Sequence, residues 1–247
     1  LLLFSALLAW PQAARVITTF AGRDWFFEFN GRPAIEAPMS ANIQRIALDR
    51  GGNIYVADPD NGLILRIDPA GNTRIIAGNG IEGYSGDGGP AVDASLYYPF
   101  AIAVDRNGNV FFADAFNYVI RRVSTDGIIT TVAGNGVEDD RGDGGPALSA
   151  SFGFIRDLAF DNDGNLYVVD SGNNRIRVIR PDGRVDGFAG NGDFGEAGLG
   201  GQALSAELQI PYAVAIDRNG EVYIGEFYDR ILKVSRTGVI SRYAGTG

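Results

Sequence analysis

The amino-acid sequence predicts an all-β protein, a β-propeller with four four-stranded blades, and three observations carry that expectation. The first is a period. The segments IALDRGGNIYVAD, IAVDRNGNVFFAD, LAFDNDGNLYVVD and VAIDRNGEVYIGE set their leading acids at Asp49, Asp105, Asp161 and Asp217, each 56 residues after the one before. A second marker, Ala-Gly, keeps the same interval at Ala21-Gly22, Ala77-Gly78, Ala133-Gly134 and Ala189-Gly190, and returns one residue early at Ala244-Gly245. Self-similarity at such a period signals a stacked array of one supersecondary unit. Second, every unit holds four short runs rich in β-branched and aromatic residues, separated by turn residues, as in an antiparallel meander. Third, the chain has 35 glycines in 247 residues. That is about twice the usual usage without a collagen-like triplet, as expected of many tight turns.

Along the second unit, strand a is read at 100–104, strand b at 109–113, strand c at 119–123 and strand d at 128–133. Asp105-Arg106-Asn107-Gly108 joins a to b, with Asp to cap the backbone and Gly to take a positive φ. Strands a and b are apolar on both sides (AIAV, NVFFA), so both faces must be buried, and blades stacked face to face achieve this. Strand c carries Arg66, Arg121, Arg122, Arg175 and Arg177, which places it toward the outer rim. The expected blades are about 43–78, 99–134, 155–190 and 211–245, within a propeller region at 15–247. ITTFA at 17–21 repeats the strand-d sequence ITTVA of 129–133 without the three strands that should precede it. It reads as an orphan outer strand and, with the chain stopping at AGTG, predicts at least one further blade on the way to a six-bladed ring. Residues 1–14 read as a truncated signal peptide, because LLLFSALLAW suits a secretory h-region and is too short to span a bilayer. The expectation is a secreted or periplasmic protein with no membrane span in the mature chain.

Composition removes several functions. A formal charge of -9 and a single lysine, Lys233, repel phosphate backbones, so nucleic acid is not an expected partner. Cysteine and histidine are both absent, which eliminates disulfides, Cys nucleophiles and any His-dependent triad.

The unit is a close match to the NHL repeat. The chain resembles the bacterial NHL subgroup shared with teneurin-like proteins, through TTVAGNG at 130–136, SGDGGPA at 85–91, IAVDRNGNVFFAD at 102–114 with Asn117, and NNRIR at 173–177. WD-type blades fit less well, since their period is about 40–45 residues and their signature dipeptide is missing here. The resemblance covers 17–247 and implies a propeller that binds ligands. It decays where SGDGGPA becomes AGLGGQA at 197–203 and where the b–c turn of the fourth unit reads Gly225-Glu226-Phe227-Tyr228-Asp229. Some related propellers, the amidating lyases and gluconolactonase-like hydrolases, hold a divalent metal on the axis, which makes a metal-dependent hydrolase or lyase the runner-up. A sensor domain of a larger receptor is a third reading.

Four groups of residues are candidates for chemistry. The d–a loops hold glycines spaced as GxGxxG at Gly78–Gly83 and Gly190–Gly195, yet they lead into more glycine and proline, not a helix, so no dinucleotide site is expected. Glu138, Asp139, Asp140 and Asp143 in one such loop form a candidate calcium site, with a compact blade-linking loop as the alternative. The b–c turns pair Asp58, Asp114, Asp170 and Glu226 with Asn61, Asn117, Asn173 and Asp229 three residues on, a pattern that lets side chains bond their own turn. Strand alternation gathers the b–c and d–a loops on one face. There Phe116, Asn117, Tyr118, Asn173, Phe227 and Tyr228 join the Trp25-Phe26-Phe27 insertion, either as loop filling or as a surface for a protein, peptide or carbohydrate. Finally, Gln44, Arg45, Arg156 and Asp157 sit at the start of strand a nearest the axis, where small residues fit best. They form either an inter-blade ion pair or a ligand site.

Overall fold

The computed structural model describes residues 30–246. The leader at 1–14, the orphan strand at 17–21 and the Trp25-Phe26-Phe27 insertion lie outside the described residues. Four antiparallel sheets follow one another along the chain, each in the order a-b-c-d. Blade 1 comprises Ile46–Leu48, Ile54–Asp58, Leu63–Ile67 and Asn72–Ala77, and blade 2 comprises Pro99–Val104, Val110–Asp114, Val119–Val123 and Ile129–Ala133. Blade 3 comprises Ile155–Phe160, Leu166–Asp170, Arg175–Ile179 and Arg184–Ala189, and blade 4 comprises Pro211–Ile216, Val222–Glu226, Ile231–Val234 and Ile240–Ala244. Among the described residues no strand pairing joins blade 4 to blade 1, and no helix is long and apolar enough to cross a membrane.

The core is a series of layers between blades. Tyr55, Ala57 and Ile64 of blade 1 pack on Ile102, Val110 and Phe112 of blade 2. Ala101, Ala113 and Ile120 of blade 2 meet Ile155, Leu166 and Val168 of blade 3. Tyr167, Val169 and Ile176 of blade 3 meet Val214, Val222 and Ile224 of blade 4. Each large apolar side chain so buried contributes about 1.5–3 kcal/mol, which is why strands a and b read as continuous apolar runs. The a–b turns form as their residues require. Asp105 accepts from the Asn107 and Asn109 amides at 2.8 and 2.9 Å, and Gly108 stands at φ +85°.

The Ala-Gly marker has a steric cause. Gly134 leaves strand d at φ +94°, and a Cβ there would strike the Tyr118 carbonyl oxygen and lie 2.7 Å from the Val119 Cα. The same close approach to the b–c turn recurs at Gly78, Gly190 and Gly245. Only glycine satisfies both the backbone angle and the contact.

The glycine-rich d–a loops do more than connect. After leaving strand d of one blade, each runs along the outer edge of strand d in the next. Gly88 donates to the Ile129 carbonyl and Ile129 donates back to Gly89, at 2.8 and 3.1 Å. Gly145–Pro146 pairs with Val185 and Arg184, Arg32–Pro33 pairs with Thr73 and Asn72, and Gln202 bridges Val239. In three of the four blades a proline ends the added strip, and a residue with no N–H cannot recruit another strand.

Strand c is the third of four, toward the rim as expected, yet two of its arginines do not face solvent. Arg121 and Arg177 are fully buried. Each anchors the d–a loop that enters its blade. Arg121 donates to the Ser95 and Ser85 carbonyls at 3.2 and 2.7 Å and pairs with Asp87 at 2.8 Å and Asp114 at 3.5 Å. Arg177 repeats this with Ser151, Arg141, Asp143 and Asp170. Blades 1 and 4 have Leu65 and Leu232 at the same place, opposite Ile75 and Arg242 on strand d. In blade 4, Arg230 takes over the task from one turn earlier, pairing with Glu226 and, at 3.2 Å, with Glu196.

Candidate functional site

The b–c turns contradict the expectation that their acids bond their own backbone. Asp114 accepts from the Tyr97 amide at 2.6 Å, Asp170 from the Gly153 amide at 2.9 Å and Asp58 from the Ser40 amide at 3.3 Å. All three partners lie 17 or 18 residues upstream. Asn117 donates to the Gly83 carbonyl at 2.8 Å, and Asn173 to the Asp139 carbonyl at 3.0 Å. These turns therefore lock the d–a loop to the b–c loop on one face. Burial pushes the carboxyls of Asp114 and Asp170 up to about 6, against the hydrogen bonds from Asn117 and Asn173 and the pull of the arginines. Asp229 is not the counterpart of Asn173. It takes the left-handed conformation at φ +51°, as Asn174 and Tyr118 do, so the fourth b–c turn is one residue shorter.

The four acids proposed for calcium face cationic or hydroxyl partners. Asp140 meets Arg175 at 2.8 Å, Asp143 meets Arg177 at 2.7 Å and Asp139 meets Arg141 at 2.9 Å. Glu138 accepts from the Tyr118 hydroxyl at 3.0 Å, a bond that raises the tyrosine above its ordinary range. Among the described residues no three acidic side chains converge as a metal site would require.

At the axis the structure brings Gln44, Arg45, Arg156 and Asp157 together and adds Tyr212. Strand a is irregular where it starts: the register breaks between Pro99 and Ile102, between Ile155 and Asp157, and between Pro211 and Ala213. Phe100, Arg156 and Tyr212 fall in these bulges, 56 residues apart. A bulge re-aims its side chain out of the pleat; Phe100 thereby packs on Tyr98 and Phe154, and Arg156 and Tyr212 meet beside Arg45. Arg45 Nε lies 3.4 Å from Asp157 Oδ1 and donates to the Arg156 carbonyl at 3.1 Å. Its Nη2 donates to the Tyr212 carbonyl at 2.7 Å, and its guanidinium sits 4.7 Å from the Tyr212 ring centroid. The Tyr212 hydroxyl donates to Gln44 Oε1 at 2.6 Å. Asp157 accepts from the Val214 amide at 3.0 Å, and burial raises its carboxyl above the ordinary range in spite of Arg45. Blade 1 is thereby tied to blades 3 and 4 across the mouth.

Around this knot runs a file of aromatic rings, joined at one point by a guanidinium. Tyr97 packs on Phe116 at 5.1 Å, Phe116 on Tyr98 at 4.8 Å and on Phe154 at 5.9 Å. Arg156 bridges Phe154 and Tyr212, 5.2 and 5.0 Å from their centroids. Tyr212 then meets Phe227, Phe227 meets Tyr228, and Tyr228 meets Phe194, at 6.4, 5.4 and 5.9 Å. Phe116 is 42% exposed and Phe227 61%. Two backbone outliers flank the file, Tyr98 at φ +58° and Ile210 at φ +48°, conformations that side chains of this bulk adopt only where surrounding structure holds them. Sequence reasoning found Phe116 and Tyr228 but missed Tyr98, Phe154 and Tyr212 as site residues. Their signal was the 56-residue spacing of 98, 154 and 210, and of 100, 156 and 212.

A cleft of about 470 Å³ lies elsewhere, between blades 1 and 2 and lined by Asp49, Tyr55, Arg66, Arg74 and Asp126. It opens where Val104 and Ser124 occupy positions that blade 3 fills with Phe160 and Arg180. Phe160 packs on Phe111 at 5.0 Å in the neighbouring interface, so the space reflects smaller side chains, and the mouth is the better assembled site.

Comparison with known proteins agrees with this architecture. Residues 66–140 match the teneurin NHL domain and residues 152–179 match the NHL repeat. Teneurin-3 of Danio rerio is 31% identical over 230 residues, covering 78% of this chain and 8% of the teneurin. The chain thus spans about a twelfth of the length of the curated relatives it matches. A structural genomics protein of unknown function from Bacteroides thetaiotaomicron superposes with a TM-score of 0.61 at 22% identity, over 82% of this chain and 47% of that one. A streptogramin B lyase superposes with a TM-score of 0.56 at 16% identity, over 86% and 57%. At those identities the likeness is one of fold.

Proposed function

Because the chain is an NHL-repeat propeller of the teneurin-like kind, we propose that it is a binding platform that holds an extended peptide segment of a partner protein across the face carrying the b–c and d–a loops. One observation carries this reading: the aromatic file from Tyr97 to Phe194, which leaves Phe116, Phe227 and Tyr228 exposed on loops held by buried ion pairs. Exposed aromatic rings in a contiguous patch mark interaction surfaces, and rings bring large contact area at low entropic cost. An extended chain suits a long, narrow file better than a compact ligand suits it. The place of action is outside the cytoplasm, a reading supported by the apolar run at 1–10.

The test is panning of a displayed peptide library against the chain, followed by titration of the recovered peptides against Phe116→Ser/Phe227→Ser. Loss of binding with an unchanged melting temperature is the expected outcome. Recovered peptides that bind the double variant as tightly as the parent would place the interaction elsewhere and sink the proposal, as would capture of glycans but no peptide.

A further inference from the structure

The two arginines at the mouth differ in what they still lack. Arg45 is engaged at all three of its nitrogens: Nε serves the Arg156 carbonyl and Asp157, Nη1 the Gln44 carbonyl at 3.1 Å and Nη2 the Tyr212 carbonyl. Among the described residues Arg156 makes one hydrogen bond, from Nε to Ser171 Oγ at 3.2 Å. Its Nη1 and Nη2 meet no acceptor, and no acid pairs with it among the described residues. The group is nevertheless fixed, placed by the bulge in strand a and wedged between the rings of Phe154 and Tyr212. A guanidinium stacked in this way presents its outer edge as a rigid fork that is weakly hydrated and matched to a planar two-oxygen acceptor. Asp157 cannot fill that role, because Arg45 and the Val214 amide engage its two oxygens. The three charged side chains of the mouth therefore sum to +1 within a chain whose formal charge is -9.

We infer that Arg156 anchors a carboxylate, an Asp or Glu side chain or a chain terminus, of the peptide that lies along the aromatic file. This rests on the platform reading above and gives it a specificity. A carboxylate is favoured over a phosphate because the surrounding negative field opposes a dianion more strongly than a monoanion.

Fluorescein-labelled octapeptides with Trp on either side of a central Glu, Gln or phosphoserine, titrated against the full chain by anisotropy, test the assignment. The Glu peptide should bind about tenfold or more tightly than its Gln twin, the effect of a charge-assisted pair. Arg156→Gln should erase that difference and leave the Gln peptide unaffected, and Arg156→Lys, which keeps the charge without the fork, should restore only part of it. Equal binding of Glu and Gln peptides by the parent chain would overturn the anchor, a result that needs no variant to fold. If Phe227→Ala still weakened both peptides, the platform would stand without it. Preference for phosphoserine would overturn the carboxylate assignment, and failure of all three peptides to bind would overturn anchor and platform together.

Discussion

Replacing Arg177 with Ala removes one side chain and releases several groups at once. Its hydrogen bonds to the Ser151 and Arg141 carbonyls disappear, as do both contacts to Asp143. Asp170, fully buried, keeps only the Gly153 amide and Asn173. Breaking a buried ion pair from one side costs about 3–5 kcal/mol. In a domain of this size each kcal/mol moves the melting temperature by about 2–4 °C, so a fall of about 6–20 °C is expected by scanning calorimetry. The protein contains its own control. Blade 1 has Leu65 at this position, and among the described residues Asp58 is there held by Ser40 and Asn61. Arg177→Leu should therefore lose less than half as much as Arg177→Ala, and adding Asp170→Asn to the alanine variant should recover part of the loss by removing the stranded charge. An alanine variant within about 1 kcal/mol of the parent, the lower edge of what any buried polar contact is worth, would refute the view that these arginines hold the loops.

Three other outcomes follow from the geometry. Asp114 and Asp170 are raised to about 6 from 3.8 by burial, so the folded state holds more protons between those values and stability must fall as pH rises through that window. Asp49 and Asp87, held below 3.8 by hydrogen bonds that outweigh their burial, lose their contribution as pH falls further. Thermal melts should thus peak near about pH 4–5, and Asp114→Asn/Asp170→Asn should flatten the slope above it; a peak at neutral pH would contradict the assignment. Gly134→Ala must strain a φ of +94° and push against the Tyr118 carbonyl. A loss of at least about 1–3 kcal/mol in urea titration is expected; Gly127→Ala, at φ +81° with nothing within 4 Å, should cost less because it carries the strain of the backbone angle alone, and equal losses would show that the close contact adds nothing. Asp157→Ala should cost about 1–3 kcal/mol while leaving Arg45 bonded to its three carbonyls, and a loss of fold in circular dichroism would show that the mouth depends on this acid far more than its contacts suggest.

Much of the fold was legible because repetition turns weak local signals into strong ones. A single turn that opens on Asp and ends on Gly says little, whereas four at one interval, with glycines at Gly52, Gly108, Gly164 and Gly220, place every a–b hairpin, and the strands of blade 2 lie within a residue of their expected limits. What the sequence concealed depended on partners far along the chain. Arginine on a strand reads as a solvent-facing residue; Arg121 is buried because Asp87 and the Ser85 carbonyl, 34 and 36 residues earlier, fold over it. The b–c acids looked like turn caps because their true partners, the amides of Ser40, Tyr97 and Gly153, belong to the preceding loop. At the mouth, Arg45 and Asp157 were visible as breaks in a pattern, but the pairing itself joins residues 112 apart. Arg156 was read beside Asp157 at the start of strand a, but its place between Phe154 and Tyr212 was not, and Tyr212 needed the bulge to be seen as a site residue, since alternation alone would have turned one of each neighbouring pair into the blade interface.

The strip that each d–a loop lays along the following blade has a consequence for how the chain is made. Residues 88–90 leave the ribosome about forty residues before 129–133, the edge they will cover, and the same order holds for 145–146 before 184–189. Every exposed strand edge is thus born with its guard already waiting, and nascent chains on neighbouring ribosomes meet no bare edge that persists. The natural unit of growth is therefore a blade together with the loop ahead of it. Evolution, or an engineer, adding or deleting repeats would keep solubility by cutting after strand d, before the glycines, and would forfeit it by cutting between the proline and strand a.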